Sequence, residues 1–154
     1  MDVAGLRHAL ATVAYRAGKS IRGAPAAFAD FQAGEGTRTP VQILAHMGDL
    51  FDWALAIVNG AERWSDSTPL AWEDEVERFF RALRAFDERL ASGDLAVEAS
   101  RLFQGPVADA LTHTGQLNLL RHLYRLPVKG ENYHRAEIVA GRVGQDQTAP
   151  RREF

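Results

Sequence analysis

Apolar residues recur every three or four positions in four separate stretches of the chain. Val3, Leu6, Leu10, Val13, Ala17 and Ile21 mark one buried face of a helix over 3–21. A second helix is predicted over 40–59. Thr39 can cap it, Pro40 suits its first position and Gln42 can complete a capping box. Ile43, Met47, Leu50, Ala54 and Ile57 form its stripe, and Asn59-Gly60 ends it. The third stripe is the most regular: Trp72, Val76, Phe79, Leu83, Phe86 and Leu90 give a helix over 72–92. Glu73, Asp74 and Glu75 suit its N-terminus, and Ser92-Gly93 stops it. Val107, Ala110, Leu117, Leu120 and Tyr124 give a fourth helix over 106–126, bounded by Gly105-Pro106 and Pro127.

Four helices with no convincing alternating strand between them predict an all-α fold, a four-helix bundle with long interhelical connections. Residues 22–38, 61–71 and 94–104 all exceed a minimal helix hairpin. The first is expected to hold a short helical turn at Ala26–Phe31. After Pro127 an extension over 128–154 follows, with a short helix near Tyr133–Ile138 and then coil. Its polar end, TAPRREF, is expected to pack on something, a second subunit included. The whole of 1–154 reads as one domain by size.

Composition narrows the function classes. Hydrophobic content of 46%, charged content of 25% and a net charge of −2 give no electrostatic reason to expect nucleic acid or an anionic membrane as partner. No cysteine is present, which removes disulfides, thiolate zinc sites and a cysteine nucleophile. The N-terminus lacks the apolar run of a signal peptide, and no window is expected to approach the roughly 18 apolar residues of a membrane span. The default expectation is therefore a cytoplasmic protein.

The candidate chemistry lies on the second and fourth helices. Asp109 and His113 stand one turn apart, about 40° round the helix, and can present two ligands to one ion. His46 shares the stripe of Leu50 and faces inward. In a simple up-down-up-down bundle all three lie at one level; a single crossover makes the two helices antiparallel instead. Taken singly, an Asp and a His at this spacing are most often a surface pair, and an inward His most often finds a core partner. Together, two imidazoles and a carboxylate turned into one core need partners that a single divalent cation supplies.

TPVQILAHMGDLFDWAL and ALTHTGQLNLLRHLYRLPV resemble the two signature helices of the DinB-like superfamily, metal-binding four-helix bundles. The resemblance covers roughly 1–127. It implies that His46 is the first metal ligand and that His113, opening the run His113-Thr114-Gly115-Gln116, is the last. Asp109 stands where most members carry His, and where the mycothiol-dependent maleylpyruvate isomerase branch carries Glu. The implied cofactor is a divalent metal ion, zinc or nickel foremost, with iron or manganese compatible. The implied reaction is transfer of a low-molecular-weight thiol of the bacillithiol or mycothiol type to a small-molecule electrophile, or a related metal-dependent hydrolysis. A homodimer is also implied.

Further residues are secondary candidates. Gln116 lies one turn beyond His113 and could orient a ligand or bind substrate, or simply bridge helices. Asp49 lies one turn from His46 and could accept its ring N–H, or be solvated. Arg121, Arg125 and Lys129 could bind an anionic thiol, although basic residues suit any helix C-terminus. Trp53 reads as core, Tyr133 as lying away from the site, and His8, His122 and His134 match no ligand pattern. Trp64 and Trp72, in or beside a long connection, favour a pocket. Against the enzyme stand two other readings. One is a non-catalytic metal-binding or stress-response bundle, with Phe79, Phe80 and Phe86 serving a dimer as well as a core. The other is a degenerate site in which Asp109 binds no metal.

Overall fold

The computed structural model describes residues 1–93 and 95–154; Asp94, the first residue of the expected 94–104 connection, lies outside them. Helix α1 runs Val3–Ile21, α2 Pro40–Val58 and α3 Trp72–Ala91. A fourth rod is built from α4 (Ala99–Leu102), a π-helical stretch (Phe103–Val107) and α5 (Ala108–Leu123). Among the described residues there is no strand, only an isolated antiparallel bridge between Glu131 and Glu153. The all-α four-helix bundle is the fold.

The first two helices start where side chains satisfy their orphan amides. The Asp2 carboxylate accepts from the Gly5 N–H at 2.7 Å. Thr39 and Gln42 close the expected capping box, with Pro40 at the first position. Helix α3 has no such cap and relies on Glu73, Asp74 and Glu75 against its dipole.

The fourth rod corrects the sequence reading at both ends. It begins at Ala99, not at 106, and continues through Pro106 rather than starting there. Proline lacks the N–H that an α-helix needs, and the wider π turns carry the chain past that gap. The rod ends at Leu123, before the expected 126, because Arg125 takes a left-handed conformation (φ 63°). The Leu126 N–H then bonds back to the Arg121 carbonyl at 3.0 Å, a Schellman-type stop. The turns expected at 26–31 and 133–138 shrink to 3₁₀ turns, Ala26–Phe28 and Tyr133–Arg135.

Cross-helix contacts fix the directions. Arg7 pairs with Asp87, and Gly18 lies against Phe80, so α1 and α3 are antiparallel. Arg78 reaches the Ala45 carbonyl and Arg89 the Asn59 side chain, so α2 and α3 are parallel. His46 meets Asp109 and His113 while Trp53 lies beside Gly105, so α2 and α5 are antiparallel. The order is up-down-down-up, and the level argument from an up-down-up-down bundle does not apply. Parallel neighbours α2 and α3 require a connection that travels the length of the bundle, which is why residues 59–71 are long. They run back along α2: the Ala61 N–H bonds the Ala56 carbonyl, Trp64 packs on Trp53 and His46, and Ser67 bonds Asp49.

One continuous apolar core joins all four rods, with Phe28 added from the first connection and Val143 from the C-terminal extension. Phe79, Phe80 and Phe86 are all spent inside it, so none is left to serve a dimer face. Helix α2 is long and apolar enough to cross a membrane by length and composition, contrary to the expectation that no stretch approaches a membrane span. In the bundle, 61% of its most apolar window is buried against its neighbours.

Candidate metal centre

His46 enters from the second turn of α2, whose apolar stripe aims it at α5. Asp109 and His113 enter from one face of α5, where the preceding π stretch sets their rotation about the helix axis. His113 is buried, His46 is half-buried, and the Asp109 side chain is 44% exposed, so the cluster opens to solvent on the carboxylate side. One ligand atom from each of the three lies within 4.8 Å of the others. The three residues singled out in the sequence are thus brought together.

The spacings test whether an ion suits these residues. The Nε2 atom of His46 is 3.4 Å from Oδ2 of Asp109, and Nε2 of His113 is 3.4 Å from Oδ1. Such distances are long for a hydrogen bond, whose usual range ends near about 3.2 Å. Each is close to the donor–donor edge of a tetrahedral ion with bonds of about 2.1 Å, roughly 3.4 Å, and the two run to different oxygens of the one carboxylate. The imidazoles stand edge to face, centroids 4.8 Å apart and planes at 83°. Two nitrogens and a carboxylate oxygen form a borderline donor set for zinc, nickel, iron or manganese. The group could therefore hold a metal ion.

Electrostatics keep the His46 ring neutral. Burial pushes its pKa below the ordinary histidine value, helped by Arg38 and then His113, while Asp109 opposes the shift. A neutral imidazole is the ligating form. On His113, Nδ1 lies 2.7 Å from Oε1 of Gln116, and the amide oxygen can only accept. Nδ1 therefore carries the proton, and the Nε2 lone pair is turned toward Asp109 and His46. Gln116 accordingly fixes the tautomer and ring plane of His113.

Asp49 does not serve His46. It is buried and accepts from the Ser67 N–H at 3.0 Å, the Ser67 hydroxyl at 2.6 Å and the Arg78 guanidinium. Arg78 also donates to Glu75, Asp52 and the Ala45 carbonyl. The carboxylate was claimed by the crossover, which sequence spacing along α2 does not reveal. Arg121 is likewise not free to bind an anionic thiol. It is buried and donates to the carbonyls of Ser20, Arg22 and Leu126, capping the end of α1.

The aromatic candidates separate. Trp64 lies against His46, centroids 5.5 Å apart, and its other ring contact is the half-buried Trp53. Trp72 packs on Phe28 in the core, remote from the triad. Tyr133 packs on Tyr15 of α1 beneath Arg16, away from the triad as expected. His8, His122 and His134 are exposed and join no ligand cluster among the described residues.

Two cavities flank the triad, and Arg38 borders both. One, of about 280 Å³, is polar and includes His46, Asp49 and Asp66. The other, of about 540 Å³, opens beside His113 and Gln116 and is walled by Ile43, Leu119, Leu120 and Leu123. Sequence reasoning missed Arg38, which sits in an aperiodic loop and touches the site only through tertiary packing.

No family model, curated protein or solved structure matches the chain. The assignment of this centre rests on its own geometry.

Proposed function

We propose that the chain is a metal-dependent bundle of the DinB-like kind, in which His46, Asp109 and His113 hold one divalent ion, zinc or nickel foremost. Its reaction is transfer of an external low-molecular-weight thiol to a small-molecule electrophile, or a related hydrolysis. The observation that carries this reading is the convergence of two imidazoles and a carboxylate, one ligand atom of each within 4.8 Å of the others, with His113 lining a cavity. Three protein donors leave at least one coordination position for an exogenous ligand, as catalytic sites do. A bound divalent ion would lower the pKa of a coordinated thiol or water at neutral pH. The thiol must come from outside, because the chain has no cysteine.

The chain's own residues then have distinct tasks. Gln116 fixes the tautomer and ring plane of His113. Trp64 covers one edge of His46 and excludes water from it. Arg38 places a positive charge beside the triad, suited to an anionic group on either reactant.

Elemental analysis of untagged protein tests the reading. About one zinc, nickel, iron or manganese per chain is expected, lost in His46→Ala, Asp109→Ala and His113→Ala. Gln116→Ala should keep the fold yet bind roughly 10- to 100-fold more weakly. A wild type that takes up none of the four ions on loading would overturn the assignment. A stoichiometric metal with no turnover of any thiol–electrophile pair would favour the non-catalytic bundle.

A further inference from the structure

The cavity beside His113 differs from a pocket made to hold only a thiol and a compact electrophile. Its far walls are leucines: Leu119 and Leu123 are 58% and 51% exposed, one turn apart on α5, and face Ile43 of α2 and Ala33 of the first connection. A single exposed leucine is ordinary, but two side by side continuing into Leu120 and Ile43 make a contiguous apolar wall of the kind that marks a ligand groove. Its volume of about 540 Å³ is that of a small-molecule site. The trough follows α5 from Gln116 to Leu123, a rise of about 10 Å. That length takes an extended alkyl chain of about eight carbons at roughly 1.3 Å per bond.

The end nearest the triad is polar. Arg38 borders both the trough and the cavity at His46, is exposed, and makes no hydrogen bond or ion pair of its own among the described residues. A guanidinium offers a fork of donors that fits a carboxylate through two parallel bonds. The neighbouring Asp109 carboxylate faces His46 and His113, not the trough walls.

We propose that this trough binds a medium-chain aliphatic carboxylate, with the carboxylate on Arg38 and the chain along Leu119 and Leu123. The ligand's polar end then lies on the side of His113. The proposal deepens the reading of the triad as a reactive centre by naming the substrate class, an aliphatic acid or a molecule bearing one. Its consequence for turnover rests on that reading, whereas its binding does not.

The test uses the full-length chain stripped of metal with a chelator, so binding is read apart from the centre. Calorimetric titration with butyrate, hexanoate and octanoate should show affinity rising about fourfold per methylene. Octylamine should bind at least tenfold more weakly than octanoate. Arg38→Gln should weaken octanoate roughly three- to tenfold and abolish the preference over octylamine. Leu123→Glu should flatten the chain-length series while metal uptake, measured separately on reloaded protein, stays at the wild-type level. Equal affinity for octanoate and octylamine would overturn the proposal, as would a flat series in the wild type. Sedimentation gives a further overturning outcome: wild-type dimers that Leu123→Glu dissociates, with no octanoate binding, would assign the leucines to a second copy of the chain. Loss of metal in the wild type with the octanoate series intact would defeat the metal reading and leave this one standing.

Discussion

Arg125 is the one non-glycine residue with positive φ among the described residues, and its strain has a visible purpose. Its left-handed backbone lets Leu126 bond back to Arg121, whose guanidinium in turn reaches the Leu126 carbonyl and the end of α1. Glycine would adopt that conformation without the Cβ clash. Arg125→Gly is therefore expected to stabilise the protein by about 1 kcal/mol, seen as a higher urea midpoint at unchanged m-value. An Arg125→Ala control keeps the Cβ and should show no gain. At the same scale, the triad was legible from residue types and spacing: His46, Asp109 and His113 were singled out and do converge. Asp49 and Arg121 misled because a polar side chain near a site in sequence says nothing of which neighbour claims it. Each is taken by an element distant in the chain, Asp49 by Arg78 and Arg121 by the end of α1.

Among elements, the crossover over 59–71 is held by one ionic knot. Arg78 of α3 ties Asp49 and Asp52 of α2, Glu75 of its own helix and Ser67 of the crossover. Gly48 makes room for it: a Cβ there would stand 2.7 Å from a guanidinium nitrogen already committed to two acceptors. Burial is the largest single influence and lowers the Arg78 pKa, but the bonds and charges of Glu75 and Asp49 together outweigh it and raise the pKa, so the charge is permanent. Arg78→Met would leave the buried Asp49 and Glu75 without their cation and should cost roughly 3–5 kcal/mol of stability. Because Ser67 would be released with it, Trp64 should leave His46, and amide exchange across 61–71 should rise well before global unfolding. An intact crossover in that variant would contradict this account. Helix existence and type were readable from the period of the apolar residues. The start of the fourth rod was not, since Pro106 signals a helix start wherever a π turn is not foreseen.

At the scale of the whole molecule, the C-terminal extension returns to α1 and packs on its own chain. Glu131 is buried and accepts from the Tyr15 hydroxyl at 2.7 Å and the Lys19 ammonium at 2.8 Å. Lys19 also bonds Glu153 at 2.9 Å, beside backbone pairs linking Asn132 to Arg152 and Phe154 to Gly130. Burial, and then the bond to Glu131, drives the Tyr15 hydroxyl far above its ordinary pKa. Lys19 holds the Glu153 carboxyl below its usual pKa. A lowered carboxyl pKa means that its contribution is present above the ordinary value of 4.5 and is lost as pH falls through the lowered one. The Asn132 and Phe154 amide resonances should hold steady from neutral pH through that ordinary range, then shift together in stronger acid. In Glu153→Gln they should already be shifted at neutral pH. A wild type whose tail resonances ignore acid would refute the latch.

By itself the sequence determined the all-α class, the positions of the four helical stripes and the residue types of the three side chains that converge. Those features are written in local periodicity and side-chain chemistry, which each segment carries alone. Only the tertiary structure decided the up-down-down-up order, because periodicity names a buried face without naming what covers it. For the same reason it alone decided that Asp49 and Arg121 serve packing, that Trp64 and Arg38 join the triad, and that an apolar trough opens beside His113.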